Sequence, residues 1–77
     1  MNTMEQKRDE LAKKLESVIS KLYLEFDSAA VRRNLELMLA ISDRITRAAE
    51  VLANLYGIVG LEAQIEMLEK ALREAEQ

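Results

Sequence analysis

The sequence predicts an all-α fold, an antiparallel helical hairpin followed by a shorter third helix, in a single domain over residues 1–77. Three observations carry that expectation. There is no Pro and there are only two Gly, whereas a hairpin-rich β-fold needs such residues at its turns. Apolar residues recur at helical spacing in three separate stretches. The stretches are divided by a polar pair, Asp27-Ser28, and by a glycine-flanked segment, Gly57 to Gly60.

The first helix is expected over residues 4–26. Thr3 followed by Gln6 fits a capping box, in which two orphan backbone donors are satisfied reciprocally. Leu11, Leu15, Val18, Leu22 and Phe26 form one apolar line, widened by Ala12 and Ile19. Lys7, Arg8, Lys13, Lys14 and Glu16 occupy the other face, which reads as solvated. Asp27 or Ser28 then caps the next helix with a side-chain oxygen. A short connection of this kind makes the two helices antiparallel neighbours.

The second helix is expected over residues 29–58 and is the longest of the three. It carries two apolar lines. One passes through Val31, Leu35, Met38, Ile41, Ile45, Ala48, Leu52, Leu55 and Val59. The other takes Leu37, Ile41, Ala48, Val51, Leu55 and Ile58. A helix apolar on two sides must be covered on two sides, and the first helix covers one. Gly57 and Gly60 then end the helix, because glycine adopts positive φ without a Cβ penalty.

The third helix is expected over residues 61–76. Leu61, Ile65, Leu68, Leu72 and Ala75 follow the alternating spacing of a heptad seam. Residues 1–60 hold nine basic and nine acidic side chains, and residues 61–77 hold two basic and five acidic, so the net charge of −3 lies on this last segment. Two and a half heptads are too short to stand alone in water. The segment either docks on the hairpin or pairs with another chain.

Composition excludes several functions. A chain of 8.8 kDa buries only about 60% of its unfolded surface, which gives a thin core that gains from a partner. With no Cys and no His, disulfides, cysteine nucleophiles, the usual zinc ligand sets and histidine acid–base chemistry are all absent. Ser17, Ser20, Ser28, Ser42 and Thr46 have no activating partner, so no enzyme activity is expected. Glu62, Glu66 and Glu69 share a helix face, but opposite the apolar seam, and read as a solvated acidic face. No cofactor and no metal are expected. The acidic balance, with a pI near 5.0, argues against nucleic acid. No stretch is apolar for long enough to span a membrane, and the first ten residues lack the apolar core of a signal peptide. The expected compartment is the cytoplasm.

What stands out is a surplus of hydrophobic residues. Leu24, Leu37 and Leu39 fall off the lines a hairpin would bury, and they gather toward one end of it. Together with Ile41, Val51, Leu55 and Ile58 they form the candidate partner-binding set, since contiguous exposed apolar area marks an interaction site. The expected partners are helices of other proteins, with self-association when the chain is alone.

Certain residues carry a family resemblance: Leu15-Glu16 and Lys21-Leu22 on the first helix, and Ile45, Ala48, Val51, Leu52, Leu55, Tyr56 and Gly57 closing the second. From Leu15 to Gly57 the chain resembles the small E-type co-chaperones of type III secretion needle subunits (the YscE/SsaE/EscE-like proteins). The resemblance implies an antiparallel hairpin that pairs with a larger, tetratricopeptide-like G-type chaperone. That pair keeps the needle subunit monomeric in the cytoplasm before export. Two features depart from that pattern: a turn reading Asp27-Ser28-Ala29-Ala30, without glycine, and the acidic segment after Gly60. The alternative reading is a de novo designed or generic helical bundle, or a homo-oligomerising module, without catalytic activity.

Overall fold

The computed structural model describes residues 3–76. They form α1 (Met4–Val31), α2 (Leu35–Asn54), a single 3-10 turn (Leu55–Gly57) and α3 (Leu61–Ala75). No strand occurs among the described residues. The chain runs up, down and up again, and α3 lies parallel to α1.

The expected capping box opens α1. Gln6 N–H donates to Thr3 Oγ1 at 3.1 Å, and Thr3 N–H donates to Gln6 Oε1 at 2.9 Å. The expected break at Asp27-Ser28 does not occur: both residues lie inside α1. The reason is Ala29, which is wholly buried in register with Leu15 and Leu22 at seven-residue intervals. Ending the helix at Asp27 would remove that last layer of the hairpin core.

The chain turns instead at Arg32–Asn34. Asn34 N–H donates to Ala29 O at 2.9 Å and Arg33 N–H to Ala30 O at 3.0 Å. This is a Schellman closure, with Arg33 at φ 56° in the left-handed position that glycine normally takes. Asn34 then caps α2 by accepting from Leu37 N–H at 3.1 Å. The boundaries therefore differ from the expected 4–26 and 29–58. With 28 residues, α1 rather than α2 is the longest helix.

The second break falls where expected. The 3-10 turn closes at Gly57, and Gly60 adopts φ +89° before α3 begins. Ile65, Leu68, Leu72 and Ala75 are buried, so the third segment docks on its own hairpin. It packs along α1 as extensively as α2 does, whereas α2 and α3 meet less closely. The core runs through Leu15, Leu22, Ile41, Ala48, Leu55 and Leu68.

One polar contact sets the register of α3. Gln64, the only buried polar side chain among the described residues, accepts from Arg8 Nη1 at 3.1 Å and donates through Nε2 to Ile58 O at 2.9 Å. The Arg8 guanidinium also lies 5.1 Å over the Tyr56 ring, close enough for a cation–π contact. With Arg8 level with Gln64, the exposed row Lys7, Lys14, Lys21 on α1 shares its register with Glu62, Glu69 and Glu76 at the matching edge of α3. The lysines are thus the counterpart of the acidic segment. This is complementarity of rows rather than of contacts, because the direct ion pairs among the described residues are Arg8–Asp9 and Arg47–Asp43.

The same register shows where α3 stops. Ala75 is level with about Ile19, so α1 continues for roughly 18 Å beyond it. One end of the molecule has three helices and the other has two. The result is elongated, 46 × 22 × 17 Å with a radius of gyration of 13.9 Å, against about 11.5 Å for a compact domain of this length. It exposes 5596 Å², against about 4,800 Å² for a compact protein of the same mass.

Candidate protein-binding surface

The seven candidate partner residues do not form one surface. Ile41 and Leu55 are each 1% exposed and are core residues: α2 turns them toward α1 and α3, so they are not available to a partner in this fold. Leu37 is half-buried against the core. Val51 and Ile58 are half-buried and line a groove between α2 and α3. Leu24 and Leu39 are exposed, but helical rotation puts Leu24 on the back of α1, away from α2. Leu24, Leu37 and Leu39 do lie toward the same end of the hairpin, on three different faces.

The groove between α2 and α3 has a volume of about 650 Å³. Ala48, Ala71 and Ala75 form a small-residue floor, with Val51, Ile58 and Met67 beside it. Asp43, Arg44, Arg47, Glu50 and Glu74 rim it with charge of both signs. It exists because α1 is the shared support and α2 and α3 splay away from each other.

A second surface lies on the opposite side of the hairpin. At 100° per residue, Arg44, Ala48 and Val51 occupy the flank of α2 that faces α3. Leu35, Leu39, Ser42, Thr46, Ala49 and Ala53 occupy the other flank. These six alternate four and three residues apart, all are exposed and none is charged. That is the spacing of a seam that receives another helix. The Thr46 hydroxyl donates to Ser42 O at 2.9 Å, so it does not require solvent. Because α1 runs antiparallel to α2, the same side of α1 bears Ala12, Ile19, Tyr23, Phe26 and Ala30. Tyr23 is exposed and the other four are half-buried, as expected of a hairpin groove with nothing over it.

Of this row only Leu39 is among the candidate partner residues, because Ser, Thr and Ala do not register as hydrophobic surplus. Its signal is the absence of charge at six consecutive heptad positions. Val31 and Leu35, expected on a buried line, are instead 84% and 66% exposed. The displaced turn moves Val31 onto α1 and rotates Leu35 away from the core.

The expected second coverage of α2 is therefore supplied in part by α3, which packs on one flank of α2 with the groove between them and leaves the other flank open. No helix among the described residues is long and apolar enough to cross a membrane. No group of three or more acidic residues among them is placed to hold a metal ion. No family model, no curated protein and no solved structure matches the chain.

Proposed function

We propose that the chain is a non-catalytic helical interaction module of the cytoplasm, and in its specific form a co-chaperone of type III secretion. In that role it pairs with a tetratricopeptide-like chaperone and helps keep a needle subunit monomeric before export. The observation that supports this most is the uncovered, uncharged flank of the hairpin, Leu35 to Ala53 on α2. A helical hairpin with one flank packed by its own third helix and the other flank open can accept a further helix. The resemblance from Leu15 to Gly57 lies within that hairpin, and α3 docks without covering the open flank.

Coexpression with a needle subunit and a tetratricopeptide-like chaperone from the same genome tests the specific form. The expected result is one complex in gel filtration that contains all three chains with the needle subunit unpolymerised. Omission of this chain should destabilise the chaperone. If the chaperone and subunit form an equally stable complex without it, the co-chaperone reading fails.

A second reading, a self-associating bundle, draws on Leu24 and Val31, exposed on the back of α1. It predicts a concentration-dependent oligomer that the Leu24→Glu variant dissociates and that does not exchange with the chaperone.

A further inference from the structure

The two flanks of the hairpin differ in charge as well as in cover. On α1 the exposed Lys7, Lys14 and Lys21 row runs along the α3 side, opposite the glutamates of that helix. The open side has the reverse balance: Glu5, Glu16 and Asp27 edge it on α1, with Lys13 behind them. None of these three carboxylates joins an ion pair among the described residues. The internal acidic helix is thus attracted to one flank and repelled from the other.

We infer that the open flank of the hairpin receives an amphipathic helix of a partner protein, one whose apolar seam is bordered by Lys and Arg. This rests on the interaction-module reading and names the chemistry of its partner. Shape comes from the heptad row Leu35 to Ala53, whose small central residues Ser42, Thr46 and Ala49 let a helix backbone approach closely. Sign comes from the acidic edge on α1, because a helix with a basic border pairs with it while an acidic one is repelled. The same edge disfavours a second copy that would set α1 against α1, because Glu16 and Asp27 would then face carboxylates of the other copy. Leu35, Leu39 and Tyr23 supply the larger apolar contacts at the turn end, where α3 does not reach.

The test uses the full chain and two three-heptad peptides with Leu at both seam positions. One carries Lys at the bordering positions and the other Glu. Binding is measured by fluorescence anisotropy at physiological salt, beside sedimentation of the chain alone. The Lys peptide is expected to bind, the Glu peptide not to bind, and the chain alone not to dimerise through this face. Ala49→Arg, in the open row, should weaken the Lys peptide by about tenfold or more. Ser17→Arg, the same charge change on the back of α1, should alter it by less than about twofold. Combined reversal, Glu16→Lys with Asp27→Lys, should exchange the preference from the Lys to the Glu peptide.

Equal loss in Ala49→Arg and Ser17→Arg would show attraction by net charge alone and overturn the inference. So would equal binding of both peptides, binding of neither, or a dimer that Ala49→Arg dissociates. If the chaperone complex forms and survives Ala49→Arg, this face is not the site although the module reading stands. If neither the peptides nor the chaperone bind, both fall.

Discussion

The two flanks of the hairpin face the same solvent and are built on the same pair of helices, yet they solve different problems. The covered flank meets α3 through large, fully buried side chains, with Leu68 and Leu15 both at 0% exposure. Its partner is tethered through a linker of a few residues, so docking is intramolecular and costs little association entropy. The open flank presents two leucines at the turn end and then only Ser, Thr and Ala along α2. Such a row tolerates water when bare and offers backbone proximity when covered. A permanent contact and an intermittent one thus leave different residue types on equivalent positions of one helix. Hydrophobic content distinguishes the first, and absence of charge distinguishes the second.

The largest effect separating the flanks should come from Leu68→Ala. Leu68 is wholly buried on α3, and truncation removes its burial and leaves a cavity, at a cost of about 2–5 kcal/mol. For a domain this small that is a large share of total stability. Urea unfolding should show a lower midpoint, and amide exchange should rise first in α3. A change below about 1 kcal/mol would mean that α3 is not a stable part of the fold, and the distinction between covered and open flanks would go with it.

That contrast was only half legible in the sequence. The seam of α3, the capping box at Thr3 and the break between Gly57 and Gly60 could each be read because their chemistry is local. The hairpin turn could not be read that way. Its left-handed position is held by Arg33 rather than by a glycine, at φ 56°, and the actual cap, Asn34, looked like a helix-interior residue. Ala29 carried the missed information: its seven-residue register with Leu22 and Leu15 extends the buried line past Asp27-Ser28. Displacing the turn moved Val31 from the second helix to the first and left Leu35 exposed. Two of the seven candidate partner residues, Ile41 and Leu55, are buried for a related reason. Periodicity shows that a helix has two apolar sides, but which one the chain itself will cover depends on where α3 docks. The sign of that docking was present in the sequence as matched rows, Lys7, Lys14, Lys21 and Glu62, Glu69, Glu76. Pairing them requires the register that the Arg8–Gln64 hydrogen bond sets.

A smaller effect is expected from reversing the middle of that lysine row. Lys14→Glu places a carboxylate at the level of Glu69 and costs roughly 0.5 kcal/mol at low salt, because exposed charge pairs contribute little each. The diagnostic is its salt dependence. The loss should shrink as ionic strength rises and the Debye length falls below about 10 Å. The double variant Lys14→Glu with Glu69→Lys should recover it. A salt-independent loss would mean that Lys14 contributes through its aliphatic stem against the helix, and that charge does not select the flank on which α3 sits.

The smallest effect on folding should come from the open flank, and its smallness is the point. Leu39 is 64% exposed, so Leu39→Gln removes little buried area and exchanges one good helix former for another. Its thermal midpoint and urea curve should match the parent within about 0.5 kcal/mol, the range of ordinary surface substitutions. Binding of the partner helix should nonetheless weaken, since Leu39 is one of the few large apolar side chains on that row. A residue that folding does not need and binding does is what a free docking face requires. If Leu39→Gln instead destabilises the isolated chain by as much as a core truncation, the row is already covered in solution, and the two flanks are alike.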